Sequence, residues 1–217
     1  MNLNLKEIKK ELHMQENGAW SCVQALVDQA QSLIRARAVY CSCYLESKSE
    51  DAIFIEGTRF KSRVLRKHTE NIGRVFPFVV TIGSKLEEQA TKCRDFLEQY
   101  YLDTLGNIAL ITARKHLEDQ LRSRYALGCI SYISPGSLED WGLEEQRPLF
   151  SILGDVEASI GVHLTKSLLM IPKKSLSGIF FPTEVPFYSC QLCPRKNCPS
   201  RKAKYSKKMA AECGIQK

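Results

Sequence analysis

The stretch from Ser84 to Tyr125 constrains the fold most, because it is the longest run of helical periodicity in the chain. Its apolar side chains recur at helical spacing, which predicts one long helix or a broken pair. These positions are Leu86, Ala90, Cys93, Leu97, Tyr100, Ile108, Ile111, Leu117 and Leu121. Ser84 followed by Glu87 predicts a capping box at its start, and Gly106 predicts a kink or a close packing contact.

The elements around this helical stretch are mixed in type. Directly before it, VFPFVVTIG is a continuous apolar run that predicts a buried strand. Residues 3–14 and 19–37 predict helices, AVYCSCYLE and DAIFIEG predict strands, and KSLSGIFFP predicts a final strand. Helices and strands do not alternate regularly, so the expected class is α+β rather than a doubly wound sheet.

Within AVYCSCYLE the side chains alternate, which places Cys41 and Cys43 on the same face of the predicted strand. A pair of metal ligands is one interpretation. Two small core residues are the favoured interpretation, because cysteine is among the most often buried residue types.

The net charge of +7 lies entirely in the last 28 residues. From Cys190 to Lys217 there are eight lysines and arginines and one acid, whereas the preceding residues carry 23 basic and 23 acidic side chains. The charge therefore does not predict a general basic face, and no nucleic-acid partner is expected for the neutral body.

The N-terminal sequence and the cysteine content predict a cytoplasmic location. The first 20 residues have no apolar core typical of a signal peptide, and no apolar run approaches the length that spans a bilayer. No membrane association is expected. In a reducing compartment the nine cysteines are better interpreted as buried thiols or ligands than as disulfides.

Four of these cysteines follow ligand-like spacing in the basic tail. Cys190 and Cys193 form a C-x2-C pair, Cys198 follows after four residues, and Cys213 follows after fourteen more. The spacing predicts a domain of residues 1–187 and a metal-binding tail of residues 188–217. An iron–sulfur cluster is favoured over a zinc site, because the surrounding positive charge suits an anionic cluster. A phosphate-binding tail and a solubilising end are the remaining interpretations; from Cys190 onward, only Tyr205 offers a stacking ring.

A set of short motifs resembles the activation (reactivation) domain of vitamin-B12-dependent methionine synthase, in a free-standing bacterial form. The motifs are SPGS, DVEASIGV, LTKS, MIP and SLSG, in this order and at compatible spacing. The resemblance implies a helmet-like α+β domain with a twisted antiparallel sheet and long helices. It also implies binding of S-adenosylmethionine and return of an oxidised cob(II)alamin, carried by a partner, to the methylated state.

The family's ligand turn maps onto SYISPGS. The matching positions are Tyr132, Ser134, Pro135, Gly136 and Ser137. Tyr132 and Ser137 stand where the family has an arginine and a tyrosine. Since tyrosine cannot replace the bidentate contact of an arginine with a carboxylate, the resemblance predicts weakened binding of S-adenosylmethionine.

The tail looks like the C-x2-C-x4-C-x16-C four-iron module of corrinoid iron–sulfur proteins, with a shorter last gap. The implied function is reactivation of a corrinoid protein or B12-dependent methyltransferase. A 4Fe-4S cluster on Cys190, Cys193, Cys198 and Cys213 would relay an electron, received from a donor such as flavodoxin or ferredoxin. This would make the chain a corrinoid-reducing activator linked to methyl transfer. The alternative is a non-catalytic accessory or assembly module with a structural zinc site.

Overall fold

A computed structural model of the chain describes residues 3, 5–12, 20–198 and 200–215. The chain divides into two compact units. The first unit contains the described residues up to Val39, Val79–Leu117 and Val156–Leu176. The second contains Tyr40–Phe78, Glu118–Asp155 and the chain from Ser177 onward. Among the described residues, no helix has the length and apolar character needed to cross a membrane.

The described residues form eight α-helices, nine strands and two short 3-10 turns. The helices are α1 Leu5–Glu11, α2 Trp20–Leu33, α3 Arg63–His68, α4 Lys85–Lys92, α5 Phe96–Arg124, α6 Gln146–Leu153, α7 Val156–Ile160 and α8 Lys207–Glu212. The strands are β1 Arg37–Tyr40, β2 Cys43–Lys48, β3 Ala52–Ile55, β4 Thr58–Lys61, β5 Arg74–Thr81, β6 Cys129–Ile133, β7 His163–Leu164, β8 Met170–Ile171 and β9 Ser175–Thr183.

Seven strands form one sheet. Six of them follow the order β4-β3-β2-β5-β9-β6, and β1 pairs with β5 beside this path. The pairs β2–β3, β3–β4, β2–β5 and β6–β9 are antiparallel. Strands β7 and β8 form a separate two-stranded antiparallel sheet. The expected α+β class, with an antiparallel sheet and a long helix, is confirmed.

The structure decides between the two alternatives for the helical stretch and differs from the prediction elsewhere. The helical stretch is a broken pair, α4 and α5, separated at residues 93–95. Ser84 precedes α4 without any side-chain capping bond, so the predicted capping box was wrong. The strand expected over AVYCSCYLE is interrupted at residues 41–42. The ends of the expected N-terminal helices at 13–14 and 19 lie outside the described residues.

Two glycines permit close packing. At Gly106, in the middle of α5, an added Cβ would lie 3.2 Å from Cε of Lys174, which confirms the predicted close contact. At Gly178, in β9, an added Cβ would lie only 2.5 Å from the carbonyl oxygen of Ile133 and 3.0 Å from the ring of Phe78. The SLSG motif therefore ends in glycine because the neighbouring strand and an aromatic ring leave no room for a side chain.

The second unit has an aromatic core. Phe78 and Phe180 stack with ring centroids 4.2 Å apart, and Tyr132 contacts the Phe180 ring at 5.5 Å. Trp141 and Phe181 are fully buried. Such rings bury large apolar areas. They fix the end of β6, from which the predicted ligand turn leaves the sheet.

Candidate functional site

The SPGS segment forms a tight turn directly after β6. The Gly136 N–H donates to the carbonyl oxygen of Trp141 at 2.8 Å, and the Ser137 N–H and hydroxyl both donate to the carbonyl oxygen of Ser134, at 3.1 and 2.6 Å. Gly136 has a φ of +78°, a conformation that glycine adopts without steric cost. The Pro-Gly pair therefore sets the backbone path of the turn.

Asp140, at the far side of this turn, fixes it to the first turn of α3. Its carboxylate accepts hydrogen bonds from the Ser62 hydroxyl at 2.6 Å, the Val64 N–H at 3.0 Å and Nε of Arg63 at 3.3 Å. The Asp140 side chain is only 6% exposed. Because charge-assisted hydrogen bonds to a buried carboxylate are strong, the turn is rigidly held.

The cysteine tail begins at an anchor on the same unit. The Phe187 N–H donates to the Ser131 hydroxyl of β6 at 2.8 Å, and the Phe187 ring lies 4.0 Å from the His68 ring. Burial, and secondarily the positive charge of Lys67, lower the pKa of His68 to about 4. His68 is therefore a neutral aromatic packing partner at neutral pH.

Arg201 holds the cysteine loop together. Its guanidinium donates to the carbonyl oxygens of Cys190 at 3.1 Å, Cys193 at 3.2 Å and Ala203 at 3.2 Å, and also to that of Arg195. One planar group with several donors satisfies carbonyls that a loop would otherwise present to water. The loop therefore has a defined conformation.

A cavity of about 560 Å³ separates the turn from the tail. One wall carries turn residues and the other carries tail residues. The lining residues are Gly136, Ser137, Leu138, Glu139, Leu192, Cys193, Pro194, Arg195, Tyr205 and Ile215. The volume lies within the range of small-molecule sites. Opposite charges line it, with Glu139 on the turn and Arg195 on the tail.

The five residues predicted at the ligand turn do not share one environment. Gly136 and Ser137 line the cavity. Tyr132 packs in the aromatic core, and Pro135 is buried. The Ser134 hydroxyl is buried and has no hydrogen-bond partner among the residues that the structure describes.

The four predicted metal ligands also differ in position. Cys190, Cys193 and Cys198 are half-buried free thiols, and Cys213 is 3% exposed. Cys193 lines the turn–tail cavity, whereas Cys213 lines another cavity together with Arg63 and Glu212. Within the described ranges, no three His, Cys, Asp or Glu side chains lie close enough together to hold a metal ion.

Local bonding in the tail suits a thiolate ligand at Cys190 and opposes one at Cys213. The Lys202 N–H donates to Sγ of Cys190 at 3.5 Å, a contact of the kind that stabilises cluster sulfurs. Burial raises the pKa of the Cys213 thiol, and the charges of Asp140 and Glu212 raise it further. In this conformation Cys213 is thus a neutral buried thiol, and a metal would have to displace its proton.

Sequence reasoning missed the contribution of Glu139, Arg195 and the ring of Tyr205 to the cavity. Glu139 and Arg195 are 56 positions apart; Glu139 belongs to no motif, and Arg195 entered the sequence analysis only as part of the tail's positive charge. Only the folded tail brings them to the same cavity.

Comparisons with known proteins agree with this fold. No protein-family model matches the chain, and no curated protein matches it. A solved structure, the crystal structure of the MetH reactivation domain bound to AdoHcy, is similar with a TM-score of 0.63. The match covers 87% of this chain and 72% of that chain, at 16% sequence identity. The chain therefore has the fold of the MetH reactivation domain, as the resemblance predicted.

Proposed function

We propose that this chain is a reactivation module for a corrinoid protein or B12-dependent methyltransferase. The observation that carries the proposal is the shared fold with the MetH reactivation domain over 87% of the chain. The cavity beside the Pro-Gly turn is a second support, because its volume suits a small molecule and it adjoins the segment that resembles the family's ligand turn.

The proposed ligand of the turn–tail cavity is S-adenosylmethionine or its product, S-adenosylhomocysteine. The solved structural neighbour holds the latter compound. Arg195 would pair with the ligand's carboxylate, Glu139 with its ammonium group, and the Tyr205 ring would stack on the adenine. The tail would thus supply the cation and the ring that the turn lacks at Tyr132 and Ser137.

In the proposed reaction, an electron and the methyl group of S-adenosylmethionine return cob(II)alamin on the partner to methylcobalamin. The chain's own residues bind and orient the methyl donor. The Asp140 carboxylate holds the turn against the start of α3 and keeps one wall of the cavity fixed. Leu138 and Leu192 line the cavity and exclude water from it. The corrinoid partner, and a flavodoxin or ferredoxin as electron donor, belong to this proposal.

Calorimetric titration of the full chain with S-adenosylhomocysteine tests the ligand assignment. Micromolar binding is expected, weakened at least ten-fold by Arg195→Ala and by Tyr205→Ala. Lys196→Ala is the matched control, because Lys196 is an exposed neighbouring cation that does not line the cavity. No measurable heat from the unaltered chain would refute the ligand, whereas equal effects of Arg195→Ala and Lys196→Ala would refute its placement.

The tail is proposed to hold a 4Fe-4S cluster on Cys190, Cys193, Cys198 and Cys213, with zinc as the alternative. A cluster would supply one-electron chemistry. The chemistry of the donor set, the N–H donated to Sγ of Cys190 and the cationic surroundings support a thiolate site. To hold the cluster, the cysteine loop and Cys213 must come closer to each other, because no three of the described possible ligands lie near enough to share a metal ion.

Metal analysis of anaerobically purified protein separates the two metals. Four irons and about four sulfides per chain, lost in Cys193→Ser but kept in Cys129→Ser, are expected for the cluster. One zinc per chain would remove the electron relay and support the alternative, a non-catalytic accessory module for a corrinoid methyltransferase with a structural metal site. Neither outcome of the metal analysis decides the ligand assignment, which the calorimetric titration tests separately.

A further inference from the structure

A pair of thiols that does not belong to the tail lies at the break between β1 and β2. Sγ of Cys41 and Sγ of Cys43 are 3.0 Å apart. Both residues follow the same register along β5, because the Cys41 N–H donates to the carbonyl oxygen of Pro77 at 3.2 Å and Cys43 stands opposite Val75. Their side chains therefore leave the sheet on the same face and meet.

The pair has the spacing that a disulfide needs. Two residues along an extended backbone span about 6.6 Å between Cα atoms, at the upper end of the about 4.4–6.8 Å found in disulfides. The sulfurs must approach by about 1 Å more to reach the covalent length of about 2.05 Å. Because the ring closed by adjacent-but-one residues is small, the bond would be strained and readily reduced.

The two thiols differ in access and in acidity. Cys41 is half-buried, whereas Cys43 is 3% exposed. The hydrogen bond from the Cys43 thiol lowers the pKa of Cys41, while that bond and burial raise the pKa of Cys43. The carboxylate of Glu56 raises both pKa values to a lesser extent. The accessible thiol is thus the better nucleophile and the buried one can reach only its neighbour.

We propose that Cys41 and Cys43 are a redox-active dithiol that closes to a disulfide by exchange with a low-molecular-weight disulfide. The Cys41 thiolate attacks one sulfur of that disulfide and releases one thiol, leaving a mixed disulfide on Cys41. The Cys43 sulfur, after losing its proton, then attacks Sγ of Cys41 and releases the second thiol. Two electrons and two protons pass in total from the dithiol to the small disulfide, which leaves as two thiols.

Peptide mapping tests this exchange on the full chain. Reduced protein is treated anaerobically with oxidised glutathione, alkylated and digested with trypsin, which cuts after Arg37 and Lys48. The peptide of residues 38–48 contains Cys41 and Cys43 and no other cysteine. We expect it to lose both alkyl labels, to be lighter by two hydrogens, and to regain both labels after dithiothreitol.

Variants separate the roles of the two thiols. In Cys43→Ser, we expect a glutathione adduct to accumulate on Cys41, because no second thiol displaces it. In Cys41→Ser, we expect no adduct to form, because Cys43 is buried. Cys129→Ser, which removes a half-buried thiol elsewhere, is the matched control and should behave like the unaltered chain. Full labelling of residues 38–48 after oxidation would overturn the proposal. A disulfide from either residue to another cysteine, or protection by a bound soft metal ion without loss of hydrogen, would overturn it equally.

Discussion

The Ser62 hydroxyl donates to the Asp140 carboxylate at 2.6 Å, and the same hydroxyl accepts the Leu65 N–H at 3.0 Å. A single serine therefore caps α3 and ties that helix to the loop that follows the Pro-Gly turn. This relay connects the geometry of the candidate site to the stability of the second unit.

Asp140→Asn tests this connection. The amide replaces a buried charged acceptor by a group that presents donors to the Val64 N–H or the Ser62 hydroxyl. We expect a loss of about 2–3 kcal/mol in the free energy of unfolding, measured by urea denaturation. Glu144→Gln, an exposed carboxylate on the same loop, should change stability by less than about 0.5 kcal/mol. Similar effects of the two substitutions would contradict the relay.

Gly178→Ala tests the close approach of β9 and β6. The added methyl group would lie 2.5 Å from the carbonyl oxygen of Ile133, a backbone atom that cannot move without disturbing the strand pair. We expect a loss of about 2 kcal/mol or more in thermal or urea denaturation. Gly73→Ala is the control, because an added Cβ there meets no atom within 4 Å. A neutral Gly178→Ala would show that the two strands are less tightly packed than described.

His68 predicts a pH dependence of stability. Its pKa is about 4 in the folded chain, below the value of about 6.5 in an unfolded chain. Between these pH values His68 binds a proton in the unfolded chain but not in the folded chain. The contribution of neutral His68 to the free energy of unfolding is therefore fully present above pH 6.5 and is lost as the pH falls towards 4. His68→Phe should retain the packing on Phe187. Between pH 6.5 and pH 4, we expect this variant to lose about 2 kcal/mol less of its free energy of unfolding than the unaltered chain.

The matched control for this pH series is His116→Phe, at an exposed position of α5. It should leave the slope between pH 6.5 and pH 4 as it is in the unaltered chain. If His68→Phe and the unaltered chain lost stability in parallel, burial of the neutral imidazole would not be the cause.

Arg201→Met tests the conformation of the cysteine loop. Removal of the guanidinium leaves the carbonyl oxygens of Cys190 and Cys193 without their donor. We expect about ten-fold faster amide hydrogen exchange in residues 189–203, which corresponds to about 1.4 kcal/mol of local stability. Lys204→Met removes the same charge from an exposed side chain and serves as control. Equal exchange in both variants would attribute the order of the loop to something other than Arg201.

Periodicity predicted the helical stretch and the buried strand β5, because each buries a continuous apolar face. It allowed for a broken pair of helices but did not predict that the break between α4 and α5 falls at residues 93–95. The Asp95 carboxylate accepts the N–H groups of Leu97 and Glu98, at 2.7 and 3.4 Å, and so starts a new helix. Asp95 and Glu98 have the spacing of a helix-capping pair in the sequence. The pair that we predicted to cap the helix was Ser84 and Glu87, and Ser84 makes no side-chain capping bond.

Of the two walls of the candidate site, only the turn could be predicted from the sequence. The turn is a local motif, and Pro135 and Gly136 are recognisable from their neighbours alone. The opposing wall depends on where the tail folds back, which is decided by contacts such as the one between Phe187 and Ser131. Because those partners are 56 positions apart, no sequence window contains both.

Spectroscopy of the corrinoid tests the proposed reactivation of a corrinoid protein directly. A B12-dependent methyltransferase held as cob(II)alamin is mixed anaerobically with S-adenosylmethionine, a reduced flavodoxin or ferredoxin, and this chain. We expect conversion of cob(II)alamin to methylcobalamin that requires both the chain and S-adenosylmethionine and is slowed at least ten-fold by Arg195→Ala. Conversion at the same rate without the chain, or no conversion with it, would refute the proposed reactivation.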